Sequence, residues 1–252
     1  VHVDGSVDPL RDIAVIETEL CLADLSSVEK RILRTAKIAK SGDKEARADM
    51  EVLELVSAHL NEVQPLRFLD LAVEQRLRLR DMHLLTDKPV MYLANVSEDD
   101  AGEPDTNPYV QQLKGAVPAA PVICMSAAIE AEISQLENEE QKDYLESLGL
   151  SESGLDKVIR EGYKLLDLIT YLTSGPKETR AWTVKRGSSA PEAAGVIHTD
   201  FERGFIKAEV IQYEDLVSLG SETAVKAAGK LRIEGKEYTV IDGDVMHFRF
   251  NV

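Results

Sequence analysis

The spacing of apolar residues divides the first third of the chain into helical stretches. Residues 1–3 fit the end of a strand, and the Asp-Pro pair at 8–9 predicts a turn before a helix over Asp12–Leu22. Over residues 26–64 apolar side chains recur at helical spacing, and the polar "SGD" at 41–43 interrupts that pattern. This pattern predicts two long antiparallel helices joined by a short turn, a helical hairpin.

The middle of the chain alternates between strand-like and helical patterns. A short helix is predicted over Leu77–Leu85, and the apolar runs Pro89–Ala94 and Val122–Met125 fit strands buried on both faces of a sheet. Each run is followed by a polar turn and then a helical pattern, which begins near Val110 and near Ile129. This repeated order is typical of a doubly wound α/β sheet, in which ligands bind at the carboxyl ends of the strands.

The last part of the chain changes to a β-rich pattern. Residues Gly154–Leu172 are predicted to be helical, and the "TSGPKE" that follows ends this helix. From Arg180 onward, short alternating strands separated by Gly-rich turns predict a small α+β module. We therefore expect a domain boundary near Ser174–Pro176.

Composition adds two points to this picture. The chain has 252 residues with 44% apolar content, which is enough for more than one domain. The net charge of −16 argues against a protein that coats nucleic acid, so no DNA partner is expected. The acidity is uneven, because from Leu168 to the end 11 basic residues nearly balance 12 acidic ones.

Other features of the sequence concern its location in the cell. Cys21 and Cys124 both lie in apolar stretches, which favours two buried thiols over a disulfide or a metal site. No apolar run approaches the roughly 20 residues that a membrane span needs, and no signal peptide is visible. A reducing, cytoplasmic location without membrane association is the expectation, with a monomer as the expected state.

The strongest candidate chemistry lies where the first predicted strand ends, in Asn95-Val96-Ser97-Glu98. GTP-binding switch proteins often end a strand in Asn-Lys-x-Asp, whose Asp accepts hydrogen bonds from guanine. Here Val96 replaces the Lys, and Glu98 carries one methylene more than Asp, so its carboxylate cannot keep that geometry. Adenine offers an acceptor where guanine offers a donor, so the pattern favours adenine. The alternative is a loop that only ends the strand.

A second candidate loop follows the second predicted strand. Ser126, Ala127 and Ala128 have small side chains that would let backbone N–H groups approach a base. A third feature is basic, because cations concentrate at the distal part of the predicted hairpin: Lys30, Arg31, Arg34, Lys37, Lys40, Lys44 and Arg47. These cations fit either a solvated helix face or a surface that contacts phosphates.

Longer segments carry a more specific signal. They are "VDPLRDIAVIETELCLADL", "KPVMYLANVSED", "SAAIEAEI", "YLTSGPKETRAWTVKRGSSAPEAAGVIHTDFERGFIKAEVI" and "GKLRIEGKEYTVIDGDVMHFRFNV". Together they resemble the YchF/Obg-like ATPase family over essentially the whole chain, most loosely in the hairpin. The resemblance implies a P-loop ATPase domain over 1–22 and 77–173, a coiled-coil hairpin inserted at 23–76, and a TGS domain, a ubiquitin-like β-grasp module, at 174–252.

The resemblance also implies a function. Members bind and hydrolyse ATP in preference to GTP, use Mg²⁺, and associate with the ribosome in translation and stress responses. Carried over to this chain, the nucleotide-binding residues are Asn95, Val96, Ser97 and Glu98, with Ser126–Ala128 in the second loop.

One departure from the family matters for catalysis. No Gly-x-x-x-x-Gly-Lys-Ser/Thr phosphate loop occurs in the sequence. The family's phosphate loop and Mg²⁺ ligands precede the position that matches Val1. We therefore assign no catalytic or metal-ligating residue, and the chain as given is expected to hydrolyse essentially no ATP. The alternative function is a non-catalytic module that binds the ribosome or a protein.

Other polar residues are interpreted as structural. His198 and His247 lack a partner spaced for catalysis, and the glutamates at 130, 132, 137, 139 and 140 fit a solvated helix face rather than a metal cluster. Trp182 is more typical of a core than of a base-stacking platform. Arg180, Lys185, Arg186 and Arg203 form at most a minor RNA-facing patch.

Overall fold

The computed structural model describes residues 6–175 and 178–251, and the chain divides into two compact units, residues 1–158 and 159–252. The strand end predicted at residues 1–3 lies outside the described residues. None of the helices described is both long enough and apolar enough to cross a membrane.

The first unit is mainly helical and contains two short strands. Its elements are α1 (Pro9–Ala39), α2 (Lys44–Asn61), α3 (Val73–Leu79), β1 (Tyr92–Asn95), α4 (Pro108–Ala116), β2 (Val122–Met125), α5 (Ala127–Ile133) and α6 (Asn138–Ser147). Single 3₁₀ turns occur at Leu66–Phe68, Arg80–Met82 and Pro104–Thr106. Helix α7 (Gly154–Leu165) begins in the first unit and ends in the second.

The second unit combines five strands with short helices. Its elements after α7 are β3 (Leu168–Ser174), β4 (Thr179–Lys185), α8 (Ala190–Ile197), α9 (Thr199–Arg203), β5 (Phe205–Gln212), α10 (Tyr213–Leu219), α11 (Glu222–Ala227), β6 (Arg232–Glu234) and β7 (Asp244–Phe250). The two units together confirm the predicted α/β class.

Helix α1 is one continuous helix, so the predicted end at Leu22 is wrong. Asp8 caps it by accepting a hydrogen bond from the Arg11 N–H at 3.1 Å, and Pro9 fits the first turn because its missing N–H is not needed there. The polar residues near position 24 do not break the helix, because Ser27 bonds back to the Ala23 carbonyl and no Gly or Pro intervenes.

Helix α2 returns along α1 after a tight turn. Gly42 takes a φ of 93°, which favours glycine, and the Asp43 side chain then caps α2 by accepting from the Ala46 N–H at 2.8 Å. The two helices bury an apolar core with the segments that follow them. Its buried members are Cys21, Val28, Val52, Leu53, Val56, Leu60, Leu66, Leu71, Leu79 and Leu84.

A buried carboxylate fixes the segment that leads into β1. Asp24 on α1 is only 3% exposed and accepts the backbone N–H groups of Leu85 at 2.8 Å and Thr86 at 2.7 Å. The Thr86 hydroxyl donates to the same carboxylate at 2.7 Å and accepts from the Leu66 N–H. Because every oxygen of this carboxylate is hydrogen-bonded, its burial is compensated.

Strands β1 and β2 form a parallel pair, with Tyr92 opposite Val122 and Asn95 opposite Met125. The predicted bounds of β2 are confirmed, whereas β1 begins three residues later than predicted. The prediction that β1 is buried on both faces is wrong, because Leu93 is 53% exposed. Among the described residues this sheet has only these two strands.

The second-unit sheet is mixed, with strand order β4-β3-β7-β5-β6. Helices α8 and α9 pack on one face over a core that contains Tyr171, Ala208 and Met246. The helix predicted over 154–172 is wrong in its last part, because Asp167 adopts a φ of 53° and the chain continues as β3. A domain boundary near Ser174–Pro176, as expected from the sequence, would place β3 in a different domain from β4 and β7, the strands with which it pairs.

Candidate functional site

The parallel pairing of β1 and β2 places their carboxyl ends at one edge of the sheet. Asn95, the last residue of β1, is opposite Met125, the last residue of β2. The pairing continues one step further, because the Val96 N–H donates to the Met125 carbonyl at 2.9 Å. The two loops that the sequence singles out, after Asn95 and after Met125, therefore lie side by side.

A side-chain hydrogen bond joins these loops. The carbonyl oxygen of the Asn95 side chain accepts the backbone N–H of Ala127 at 3.0 Å. Ser126, the residue before α5, makes no side-chain capping hydrogen bond, so Asn95 satisfies one of the free N–H groups of this helix. Its amide NH₂ group makes no hydrogen bond with any described residue and remains a donor.

The loop after Asn95 is organised by its own polar side chains. The Ser97 hydroxyl donates to the Asp100 carboxylate at 2.7 Å, and the Asn107 amide donates to the same carboxylate at 3.1 Å. The Asp100 N–H closes the turn on the Ser97 carbonyl at 3.2 Å. The Ser97 hydroxyl therefore stabilises the loop, while Glu98 remains exposed beside it.

The two loops enclose an open cleft of about 390 Å³. Its lining residues are Asn95, Val96, Ser97, Glu98, Asp99, Ser126 and Ala128. Six of the seven residues predicted from the sequence line it, and the seventh, Ala127, contributes the N–H that holds Asn95. Asp99 was not predicted, although it lies next to Glu98 in the motif.

A second cleft of about 570 Å³ adjoins the first along the exposed face of β1. Asn95, Val96 and Ser97 line both clefts, and the second is otherwise bounded by residues of α1 and α4 that include Ile13, Tyr109 and Leu113. The motif therefore separates a polar cleft at the strand ends from a more apolar one beside them.

Glu130 has a role that the sequence did not reveal. The prediction of a solvated helix face is wrong here, because the Glu130 carboxylate accepts the N–H groups of Gly154 at 2.6 Å and Leu155 at 3.1 Å. These are the first residues of α7, whose N-terminus favours a negative charge. Glu130 and Gly154 are 24 residues apart, so no local pattern reveals their contact.

The two histidines and the two cysteines noted in the sequence have contacts typical of structural residues. His198 accepts the Asp200 N–H at 3.1 Å at the start of α9, and His247 lies 3.0 Å from the Glu222 carboxylate. Cys21 is buried and Cys124 is half-buried, and both thiols are free. Burial is the main cause that raises the pKa of both thiols, which keeps them in the less reactive protonated form.

Within 6–175 and 178–251, no group of three or more His, Cys, Asp or Glu side chains is placed to hold a metal ion. The carboxylates of Glu98, Asp99 and Asp100 are neighbours in sequence but do not form such a group. The described residues therefore do not fit a Mg²⁺ site of their own.

Comparisons with known proteins agree with one another. The family model YchF-GTPase_C, described as a protein of unknown function (DUF933), matches residues 168–251. The Ribosome-binding ATPase YchF of Bacillus subtilis is 51% identical over all of this chain, which spans 69% of that relative. Obg-like ATPase 1 of Homo sapiens is 42% identical over 99% of this chain and 64% of its own length.

Solved structures support the same assignment. The YchF GTPase of Schizosaccharomyces pombe matches 99% of this chain and 68% of its own, with a TM-score of 0.85 and 37% identity. A GTP-binding protein from Pyrococcus horikoshii matches 97% of this chain and 72% of its own, with a TM-score of 0.59 and 20% identity, which shows a shared fold. On the evidence of identity and coverage, this chain belongs to the YchF/Obg-like family.

Proposed function

We propose that this chain contributes the base-recognition end of a nucleotide site and that the base is adenine. The observation that carries this proposal is the bond between Asn95 and the Ala127 N–H, which fixes the side-chain oxygen and leaves the NH₂ group to donate to a purine. Glu98 supports adenine, because it is exposed, its carboxylate makes no hydrogen bond or ion pair among the described residues, and it is longer than a guanine-reading Asp.

The names of relatives support nucleotide hydrolysis by the family but disagree about the base. The bacterial and human relatives are named ATPases, whereas the fission-yeast structure is titled a GTPase. The preference for ATP therefore rests on the residues at 95–98. The described residues form no metal site and the sequence has no phosphate loop, so no residue of this chain is given a role in hydrolysis.

We propose further that the chain binds the ribosome, in keeping with the name of the bacterial relatives. The supporting feature is the exposed basic surface where α1 and α2 meet, which includes Lys37, Lys40, Lys44 and Arg47. No ion pair to any of these four is present among the described residues, so their charges are available to phosphates. Such binding would weaken steeply with salt.

The domain assignment belongs to the same proposal. The pair α1–α2 corresponds to the hairpin inserted in the nucleotide domain, and the mixed sheet of the second unit corresponds to the TGS β-grasp module. The family model matches from residue 168, the first residue of β3, which supports a module that includes this strand.

Equilibrium binding of ATP and GTP to the 252-residue chain tests the base proposal. Asn95→Asp keeps an oxygen for the Ala127 N–H but removes the donor, whereas Asn95→Ala removes both. We expect ATP to bind more tightly than GTP, and both variants to weaken ATP by about 3- to 10-fold, the value of one net hydrogen bond. Asn61→Ala, on the exposed end of α2, is the matched control and should leave binding unchanged.

The outcomes that oppose the proposal are distinct. Equal or tighter binding of GTP would overturn the adenine preference. An unchanged ATP affinity in Asn95→Asp, or no saturable ATP binding to the chain, would overturn the site itself. If Asn95→Ala weakens ATP while Asn95→Asp does not, the loss reflects only the role of Asn95 as a structural cap for α5, and the proposed contact with the base is refuted.

A further inference from the structure

The two edges of the second-unit sheet differ in length. Strand β6 at one edge has three residues, Arg232–Glu234, whereas β4 at the other has seven, Thr179–Lys185. Strand β4 pairs with β3 along its whole length, and no other described strand pairs with it. A long, regular edge strand offers unpaired backbone groups to another chain.

The direction of each backbone group on β4 follows from the hydrogen bonds at its two ends. The Gly175 N–H donates to the Glu178 carbonyl at 3.0 Å, and the Arg186 N–H donates to the Asp167 carbonyl at 2.8 Å. Hydrogen-bonded and non-bonded pairs alternate along an antiparallel ladder. The even-numbered residues from 178 to 186 therefore bond to β3, and residues 179, 181, 183 and 185 direct their N–H and C=O groups away from it.

Almost all of these outward N–H and C=O groups lack a hydrogen-bond partner among the described residues. Within the part of the chain that the structure describes, the one hydrogen bond of this outward row is from the Ser188 N–H to the Lys185 carbonyl at 3.1 Å. All four residues of the row are exposed, and the side chain of Ala181 is too small to shield the backbone. The strand has no proline and no bulge, which are two of the devices that protect natural sheet edges.

Charged side chains are another device that protects sheet edges, and on β4 they indicate the kind of partner that this edge attracts. Arg180 and Lys185 lie on the strand and Arg186 follows it. Arg180 is 3.9 Å from Glu178 and Arg186 is 3.1 Å from Asp167, whereas Lys185 has no ion pair among the described residues. These cations repel a second copy of the same edge, and they attract carboxylates.

We propose that the β4 edge binds an extended acidic segment of a partner protein by strand addition. The peptide backbone would pair with the groups of Thr179, Ala181 and Thr183, and its carboxylates would meet Lys185 and Arg180. The Arg180 guanidinium lies 4.1 Å from the centre of the Trp182 ring, so this half-buried indole adds an apolar contact at the same edge. The proposal does not depend on nucleotide binding.

The test is a selection of random peptides of roughly ten residues on the full 252-residue chain, followed by affinity measurements with single variants. Ala181→Pro is the decisive variant, because the Ala181 N–H faces away from β3. Proline there removes one outward donor and obstructs strand addition but leaves the ladder to β3 intact. Ala181→Val keeps the donor and is the matched control.

We expect the selected peptides to be rich in Asp and Glu. Ala181→Pro should weaken them at least tenfold, Ala181→Val less than about twofold, and the pair Arg180→Glu and Lys185→Glu several-fold. If Ala181→Pro fails to fold, amide hydrogen exchange of the unmodified chain decides: bound peptide should protect the amides of Thr179, Ala181 and Thr183.

Three results would overturn the proposal. The first is that no peptide is enriched in the selection. The second is that the selected peptides bind Ala181→Pro with unchanged affinity and do not protect the amides of Thr179, Ala181 and Thr183. The last is binding of single-stranded oligouridine that is lost in the double charge reversal but unaffected by Ala181→Pro, which would assign this edge to RNA instead.

Discussion

The side-chain oxygen of Asn95 at the end of β1 holds the backbone N–H of Ala127 at the start of α5, at a distance of 3.0 Å. One residue thus ends a strand, begins a helix 32 positions later and exposes its NH₂ group to the cleft between them. Loss of this side chain therefore has a structural cost and, under the proposed function, also a cost in binding. Only a variant that keeps the side-chain oxygen, such as Asn95→Asp, distinguishes the loss of stability from the loss of binding.

The base preference should change when the motif is converted to the guanine-reading form. Val96→Lys combined with Glu98→Asp restores Asn-Lys-x-Asp, whose shorter carboxylate can accept both guanine donors. We expect the ratio of GTP to ATP affinity to rise by about tenfold, the effect of one to two charge-assisted hydrogen bonds. Competition binding on the 252-residue chain measures the ratio. An unchanged ratio would show that position 98 does not contact the base.

The contact between Glu130 and α7 should be important for stability. Glu130→Ala leaves the N–H groups of Gly154 and Leu155 without their acceptor, and we expect a loss of about 1–2 kcal/mol in the free energy of unfolding. Glu51→Ala, at an exposed position on α2, is the control and should change it by less than about 0.5 kcal/mol. Equal effects of the two substitutions in urea unfolding would contradict a specific role for Glu130.

Adding a side chain at Gly154 should also destabilise the folded state. An added Cβ would lie 2.5 Å from the Met125 Cβ and 2.8 Å from a Glu130 carboxylate oxygen, so Gly154→Ala is expected to cost about 1–3 kcal/mol. Gly115→Ala on α4 is the matched control, because nothing lies within 4 Å of its added Cβ, and it should be neutral or slightly stabilising. Thermal unfolding of both variants distinguishes a steric clash from the general effect of replacing glycine.

The parts of this fold that the sequence predicts well are those governed by local pattern. The apolar run Val122–Met125 has the length and boundaries of a strand, and its parallel pairing with β1 follows from the order of the elements. The sequence also places Asn95 and Ser126 at the same edge, because strand ends mark ligand sites in such sheets. Hence most of the cleft was predicted from the motif.

The errors arise where distant contacts decide the structure. The run that contains β3 is apolar without a clear period, so helix and strand cannot be distinguished until its partners β4 and β7 are known. The sequence predicts a helix end at Leu22, yet Asp24 lies within α1 and is buried, and its carboxylate accepts the N–H groups of Leu85 and Thr86. Glu130 likewise resembles a surface residue in the sequence, because the residues that it contacts, Gly154 and Leu155, are distant along the chain.

Asp24 should be the most sensitive acidic residue of the first unit. Asp24→Asn replaces one acceptor oxygen by a donor that faces other donors, and we expect a loss of about 3 kcal/mol in the free energy of unfolding. Asp81→Asn, which removes an exposed ion pair with Arg31, should cost less than about 1 kcal/mol. Urea unfolding measures both, and a small effect at Asp24 would show that water replaces the lost bonds.

Tyr238 should make the second unit sensitive to alkaline pH. Its hydroxyl donates to the Asp244 carboxylate at 2.7 Å, and burial together with this carboxylate raises the pKa of Tyr238 from 10.0 to about 12. Because the folded state holds this proton more tightly than the unfolded state, the resulting stability is present below pH 10.0 and is lost as pH rises toward about 12. Tyr238→Phe should be less stable by about 1–2 kcal/mol at neutral pH, and this deficit should shrink by roughly 1 kcal/mol per pH unit above about pH 10. The exposed Tyr213→Phe is the control, and a deficit of Tyr238→Phe that stays constant from about pH 8 to about pH 11 in urea unfolding would refute the linkage.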